Sequence, residues 1–161
     1  MKKVILLSLL PLTAMAAPSL KGFEKTYQDW DLICDNTGTC NMAGYPEYYS
    51  EHPVSILFTR SAGEKAPVTA QLALLREDVG NKTAEIILNG QSLGIVPNIS
   101  EDGNAKLSEK QTTELLTALK GNASIEVVFG EFKAKVSDKG AAAAMLKMDE
   151  FQQRLNTPSA L

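Results

Sequence analysis

Asp29-Trp30-Asp31-Leu32-Ile33-Cys34-Asp35-Asn36-Thr37-Gly38-Thr39-Cys40-Asn41-Met42-Ala43-Gly44-Tyr45 holds both cysteines of the chain and its single tryptophan. Trp30, Leu32 and Cys34 alternate with Asp31, Ile33 and Asp35, the period of two expected of a strand. Asp35 to Thr39 is dense in turn formers, and Gly38 can take the positive φ of a tight reversal. The stretch reads as strand, turn and return strand, with Cys34 brought beside Cys40.

The start of the chain sets the compartment in which those cysteines are read. Met1-Lys2-Lys3 is a basic leader, Val4 to Leu12 is a short apolar run broken by Pro11, and Ala14-Met15-Ala16 is an A-x-A cleavage box. The expectation is a signal peptide over residues 1–16, cut after Ala16, with export to a bacterial periplasm. The alternative, an uncleaved anchor, needs about 20 apolar residues, and this run is well short of that. No cysteine stands at the cut to carry a lipid. In an exported chain, two cysteines pair most simply with each other, so a Cys34–Cys40 disulfide is expected. Closing so short a loop stabilises by roughly 2 kcal/mol in the chain-entropy account. A redox C-x-x-C needs a tighter spacing, and a zinc site needs about four ligands where His52 is the sole histidine. No metal and no cofactor is expected.

Residues 17–161 are expected to form one domain, large enough for a real core. The formal net charge of −3 becomes −5 once Lys2 and Lys3 are removed. Mild acidity argues against nucleic acid or an anionic membrane as partner. No later apolar run is long enough for stable membrane insertion.

Outward from the stapled hairpin, Ala17 to Gln28 is a lead-in with Phe23 and Tyr27, expected either to pair with the sheet edge or to stay mobile. Strands are expected at Val54 to Arg60, Val68 to Leu75, Ala84 to Leu88 and Gln91 to Val96, the last two joined by Asn89-Gly90, the strongest hairpin signal in the chain. Pro97 to Lys106 reads as polar loop. Ser108 and Gln111 match a capping box, and Thr112, Leu115, Leu116 and Leu119 form one stripe, so a helix is expected over about 108–120. Ser124 to Phe129 and Phe132 to Val136 read as a hairpin across Gly130-Glu131. Ser137 and Asp138 are candidate caps for a last helix over about 139–155, with Ala141, Ala144, Met145, Met148, Phe151 and Leu155 as its apolar stripe. The count is seven or eight strands and two helices. Strands do not alternate with helices, so the fold class is α+β: a mostly antiparallel sheet or sandwich with both helices packed on one side. Trp30, Leu115, Leu116, Leu119, Met145, Met148 and Phe151 are expected to be buried.

Catalytic sets are not legible. There is no G-x-S-x-G, P-loop, G-x-G-x-x-G or H-E-x-x-H, and His52 lies in a turn-rich loop with no defined partner. Asp29, Asp31 and Asp35 can share one side of a strand, which most simply is a wet face. What stands out is Gly44 to Pro53, where Tyr45, Tyr48 and Tyr49, three of the four tyrosines, lie with His52 in a loop that also holds Pro46 and Pro53. Tyrosine combines an apolar face with a hydroxyl, and a proline-stiffened loop has less freedom to lose on binding. These four residues are the candidate binding surface for a protein or glycan. The alternative is that the rings cover one end of the sheet as satellite core.

Trp30, the Cys34-Asp35-Asn36-Thr37-Gly38-Thr39-Cys40 string, Ala43-Gly44-Tyr45 and the closing words from Met148 to Leu161 resemble a bacterial exported family known as domain of unknown function 1176. Leu88-Asn89-Gly90, Leu107-Ser108 and Val136 to Gly140 are similar to its other recurrent words. The resemblance implies a periplasmic protein with no established activity and offers no catalytic residues. Members usually continue past the Thr157-Pro158-Ser159-Ala160-Leu161 words into a second half. A fainter likeness, to the invasion-associated locus B family in its Trp/Cys opening and late helix, implies a β-rich secreted interaction module. The functional expectation is an exported, non-enzymatic binding or interaction module, a protein inhibitor being one version. The alternative is a carboxylate-based hydrolase of cell-wall glycan.

Overall fold

The computed structural model describes residues 21–46, 53–63, 66–74 and 83–154. The segment read as a signal peptide, and Leu155 at the end of the last helix, lie outside these residues. Ten strands and two helices follow in the order β1 (Phe23–Tyr27), β2 (Trp30–Cys34), β3 (Cys40–Gly44), β4 (Val54–Arg60), β5 (Val68–Leu74), β6 (Ala84–Leu88), β7 (Gln91–Val96), β8 (Asn104–Lys106), α1 (Glu109–Ala118), β9 (Ile125–Phe129), β10 (Phe132–Val136) and α2 (Ala141–Gln153). They build a six-stranded sheet, β1-β2-β3-β4-β5-β8, and a four-stranded sheet, β10-β9-β6-β7. Every pairing is antiparallel. The fold is α+β with two sheets.

The opening stretch folds as the alternation dictates. Trp30, Leu32 and Cys34 are buried, as are Cys40, Met42 and Gly44 opposite them, while Ile33 and Asn41 are exposed. Cys34 faces Cys40 across the ladder with Cα atoms 4.1 Å apart, and the two are disulfide-bonded. The turn is set by Asp35, whose Oδ1 accepts from the Thr37 and Thr39 amides and the Thr37 hydroxyl at 2.8, 3.0 and 2.6 Å. Gly38 sits at φ 95°. The Thr37 hydroxyl foremost, and then the turn's amides, hold the Asp35 carboxyl below its ordinary value of 3.8. A carboxyl lowered in the folded state contributes stability above the unfolded value, and that contribution is lost as pH falls through the folded one. Asp35 should therefore titrate below 3.8 by NMR and move upward in Thr37→Val. The stability advantage of the natural chain over Asp35→Asn should shrink as pH falls through that window.

The core is one contiguous cluster drawn from both sheets and both helices. α2 lies against β1, β2 and β3, β10 against β4, and α1 against β5. Ala141 and Ala144 are fully buried, so small side chains let α2 approach the sheet closely, with Met145, Met148 and Phe151 completing the buried stripe. The Trp30 indole stacks on Phe58 at 6.0 Å between centroids and donates from Nε1 to the Ser137 carbonyl at 2.8 Å. Gly44, its cross-strand partner, leaves room for the ring: a Cβ there would stand 2.3 Å from the indole.

Several expectations are corrected. β8 is a strand where a polar loop was expected, while the lead-in takes the first of its two alternatives and pairs at the sheet edge as β1; both are edge strands and short. Ser137 and Asp138 do not cap α2. The Ser137 hydroxyl donates to Asp29 Oδ2 at 2.6 Å and the Asp138 carboxylate accepts from the Ala123 amide, so both side chains are engaged in tertiary bonds. The N-cap is Gly140 at φ 95°, with no side-chain cap. On α1 the Ser108–Gln111 capping box is present, and Thr112, Leu115 and Leu119 are buried, but Leu116 is only partly covered and faces a groove. Asp149 and Glu150 are exposed, yet Asp149 pairs with Arg60 at 2.7 Å.

Two glutamines do work that periodicity does not reveal. Gln111 is buried, and its amide donates to the carbonyls of Leu93, Gly94 and Ile95, tying α1 to β7. Gln152 is fully buried and donates to the carbonyls of Gly38, Arg60 and Ser61, fastening the end of α2 to the disulfide turn.

Candidate functional site

The candidate surface is the outer face of the six-stranded sheet, at the end where Tyr45 stands. Strand alternation creates it. Each residue that β2 to β5 send inward is matched by one sent out, and the ladder registers join the outward ones into rows. One row runs Thr26, Asp31, Ala43, Leu57, Gln71 and Lys106; a second runs Glu24, Ile33, Asn41, Thr59 and Thr69. These residues are half-buried or exposed, whereas their inward neighbours on β2 to β5 are almost all buried.

Of the eleven residues in the two rows, five carry hydroxyl or amide groups, three are charged and three are apolar. Thr26 donates to Asp31 Oδ1 at 2.6 Å, and Thr59 donates to Asn41 Oδ1 at 2.7 Å. Such cross-strand pairs fix side chains in the plane of the sheet. Ile33 is the most exposed of the apolar ones, at 47%, whereas Ala43 and Leu57 are half-buried.

Tyr45 follows β3 directly and is 41% exposed. Its backbone is held at both ends: its amide donates to the Asp29 carbonyl at 3.1 Å, and its carbonyl accepts from the Ser137 amide at 3.0 Å. Its phenol is pushed above the ordinary value of 10, first by partial burial and then by the charge of Asp31 and a hydrogen bond to it. The hydroxyl therefore stays protonated at neutral pH, beside the Asp31 carboxylate. The backbone of Tyr45 is thus anchored while its ring stays partly exposed.

The other three candidate residues, Tyr48, Tyr49 and His52, lie outside the described residues. The aspartates read as one possible side of a strand are not brought together. Asp31 is on the outer face, Asp35 is occupied by its turn, and Asp29 accepts from Ser137. Among the described residues there is no group of three or more histidines, cysteines or carboxylates placed to hold a metal ion. No helix among them is long and apolar enough to cross a membrane.

Sequence reasoning reached Tyr45 through the tyrosine cluster and missed that Asp31 stands near it. Their spacing does not suggest a contact; the β2–β3 ladder brings residue 31 opposite residue 43 and so close to 45.

No curated protein matches the chain, and no solved structure does. A family model described as protein of unknown function (DUF1176) matches residues 24–161, a span that runs from β1 through α2. The match covers most of the chain and takes in the stapled hairpin, Tyr45 and both helices, so the protein belongs to the DUF1176 family.

Proposed function

We propose that this protein is an exported, non-catalytic binding module of the bacterial periplasm that holds a protein or glycan partner on the outer face of its larger sheet. The observation that carries the reading is Tyr45: an exposed ring on an anchored backbone, close to Asp31, beside rows of outward side chains that include hydroxyl and amide groups. Preorganised aromatics of this kind lose little freedom on association and recur at energetic hot spots. The leader sequence and the buried disulfide support the compartment.

The test is capture from a periplasmic extract and, in parallel, co-sedimentation with purified cell-wall sacculi. The natural chain should retain a partner in one of the two, and Ile33→Asp should weaken it. Ile33 projects away from the core, so the variant should melt within a few degrees of the parent. Release of soluble glycan fragments from the sacculi would instead establish the hydrolase alternative.

A further inference from the structure

A groove lies at the far edge of the six-stranded sheet, between β5 and α1, with a volume of ≈ 580 Å³. Its apolar lining includes Val68, Leu107 and Leu116. The hydroxyl-bearing side chains of Thr113 and Thr117 line it from the helix, and Lys106 and Lys120 lie at opposite ends of the α1 segment. Both lysines are exposed, and neither has an ion-pair partner among the described residues. Glu109 also lines the groove, but it stands in the first turn of α1, where the helix N-terminus offsets its charge.

The sheet edge beside this groove is incomplete. β8 pairs with β5 only over Gln71 to Ala73. The Leu107 amide donates to the Ala70 carbonyl and the Leu74 amide to the Gly103 carbonyl, so the even-numbered residues of β5 direct their backbone groups toward the β8 side. By the same alternation, Val68 presents its N–H and C=O into the groove, beyond the point where β8 ends.

We infer that this groove takes an extended peptide segment, apolar in the middle and acidic at its ends, which adds as a short strand to the free edge of β5 at Val68. Strand addition supplies main-chain hydrogen bonds and leaves side-chain pockets to set the sequence. The ten residues of α1 span about 15 Å, the length of four to five residues of extended chain. The unpaired lysines select the charge of the peptide, and the groove is open along one side, which suits a chain better than an enclosed small molecule. The sequence left this unseen because Leu116 falls within the core stripe of α1 and only the packing exposes it.

The experiment uses the isotope-labelled full chain and two synthetic probes, acetyl-Glu-Val-Thr-Val-Glu-amide and its counterpart with lysine at both ends. The acidic peptide should give saturable amide shifts at Val68, Thr113 and Thr117. The double variant Lys106→Glu with Lys120→Glu should weaken it by about tenfold and bind the lysine peptide better than the parent does. Both lysines are exposed, so the variant should fold, and an unchanged thermal midpoint checks that it has. Absence of saturable shifts, equal affinity of the two peptides, or octanoate binding in the same place as tightly as the acidic peptide would each overturn the assignment. These results are read at Val68, Thr113 and Thr117, none of them near Tyr45, and the lysine variant is compared only for its binding of the two peptides.

Discussion

Trp30→Ala should cost about 3–5 kcal/mol and lower the thermal midpoint by about 10 °C or more. Three losses coincide. The indole is fully buried, so its removal opens a large cavity between β2, β4 and α2. The stack on Phe58 disappears. The Ser137 carbonyl loses the Nε1 donor, and an unsatisfied buried acceptor carries its own penalty of about 1–3 kcal/mol. Gly44 cannot refill the space, because it has no side chain. Since Trp30 is the only tryptophan, its fluorescence in the parent chain is a direct readout of the same packing: emission should be blue-shifted when folded and move to the red at the melting transition. Chemical denaturation of parent and variant gives the difference. A cost below about 1 kcal/mol would mean that the ring is not at the centre of the core.

Gly140→Ala should be comparably damaging, at about 3 kcal/mol or more, although it adds one methyl group. Gly140 has φ 95°, a region that costs any L side chain, and a Cβ there would stand 1.8 Å from the Tyr27 carbonyl oxygen. That atom is backbone and cannot rotate away. The segment on either side is stitched to the same place: the Asp29 amide donates to the Lys139 carbonyl, the Ser137 hydroxyl to Asp29, and Trp30 to the Ser137 carbonyl. A displaced Gly140 thus lifts the start of α2 from the β1–β2 turn. Gly90→Ala is the control. Gly90 also has positive φ, at 81°, but nothing lies within 4 Å of its added Cβ, so only the dihedral penalty of about 1 kcal/mol is expected. Equal costs at the two positions would show that the Gly140 contact is not what matters.

What the sequence made legible was local and periodic. The strands at 54–60, 84–88, 91–96 and 132–136 stand where alternation and turn residues put them. Asn89 and Gly90 take the positive φ values, 50° and 81°, that their hairpin demands. The cysteines and the capping box of α1 were legible for the same reason, since each needs only residues close in the chain. What was missed depends on contacts between distant segments. β8 is three residues long and exists because β5 offers it an edge. Ser137 and Asp138 read as caps until Asp29 and Ala123 claim them. Leu116 lies on the apolar stripe, yet α1 sits at the margin of the sheet and leaves it half-covered. The candidate site divides in the same way. The cluster of tyrosines was visible in the sequence, whereas the exposure of Tyr45 and the rows of outward side chains beside it follow from register across six strands.

Tyr45 and Trp30 lie at the same end of one hairpin, yet one ring is exposed and the other buried. The most direct measurement places Tyr45→Ala beside Trp30→Phe, recording for each the thermal midpoint and the retention of the periplasmic partner below the melting range. The proposed function expects opposite signatures: Tyr45→Ala melts close to the parent and loses the partner, while Trp30→Phe melts early, having lost its bond to Ser137, and keeps the partner. A Tyr45→Ala variant that melts as early as Trp30→Phe, or that retains the partner at parental strength, would contradict the assignment of this face as the recognition surface.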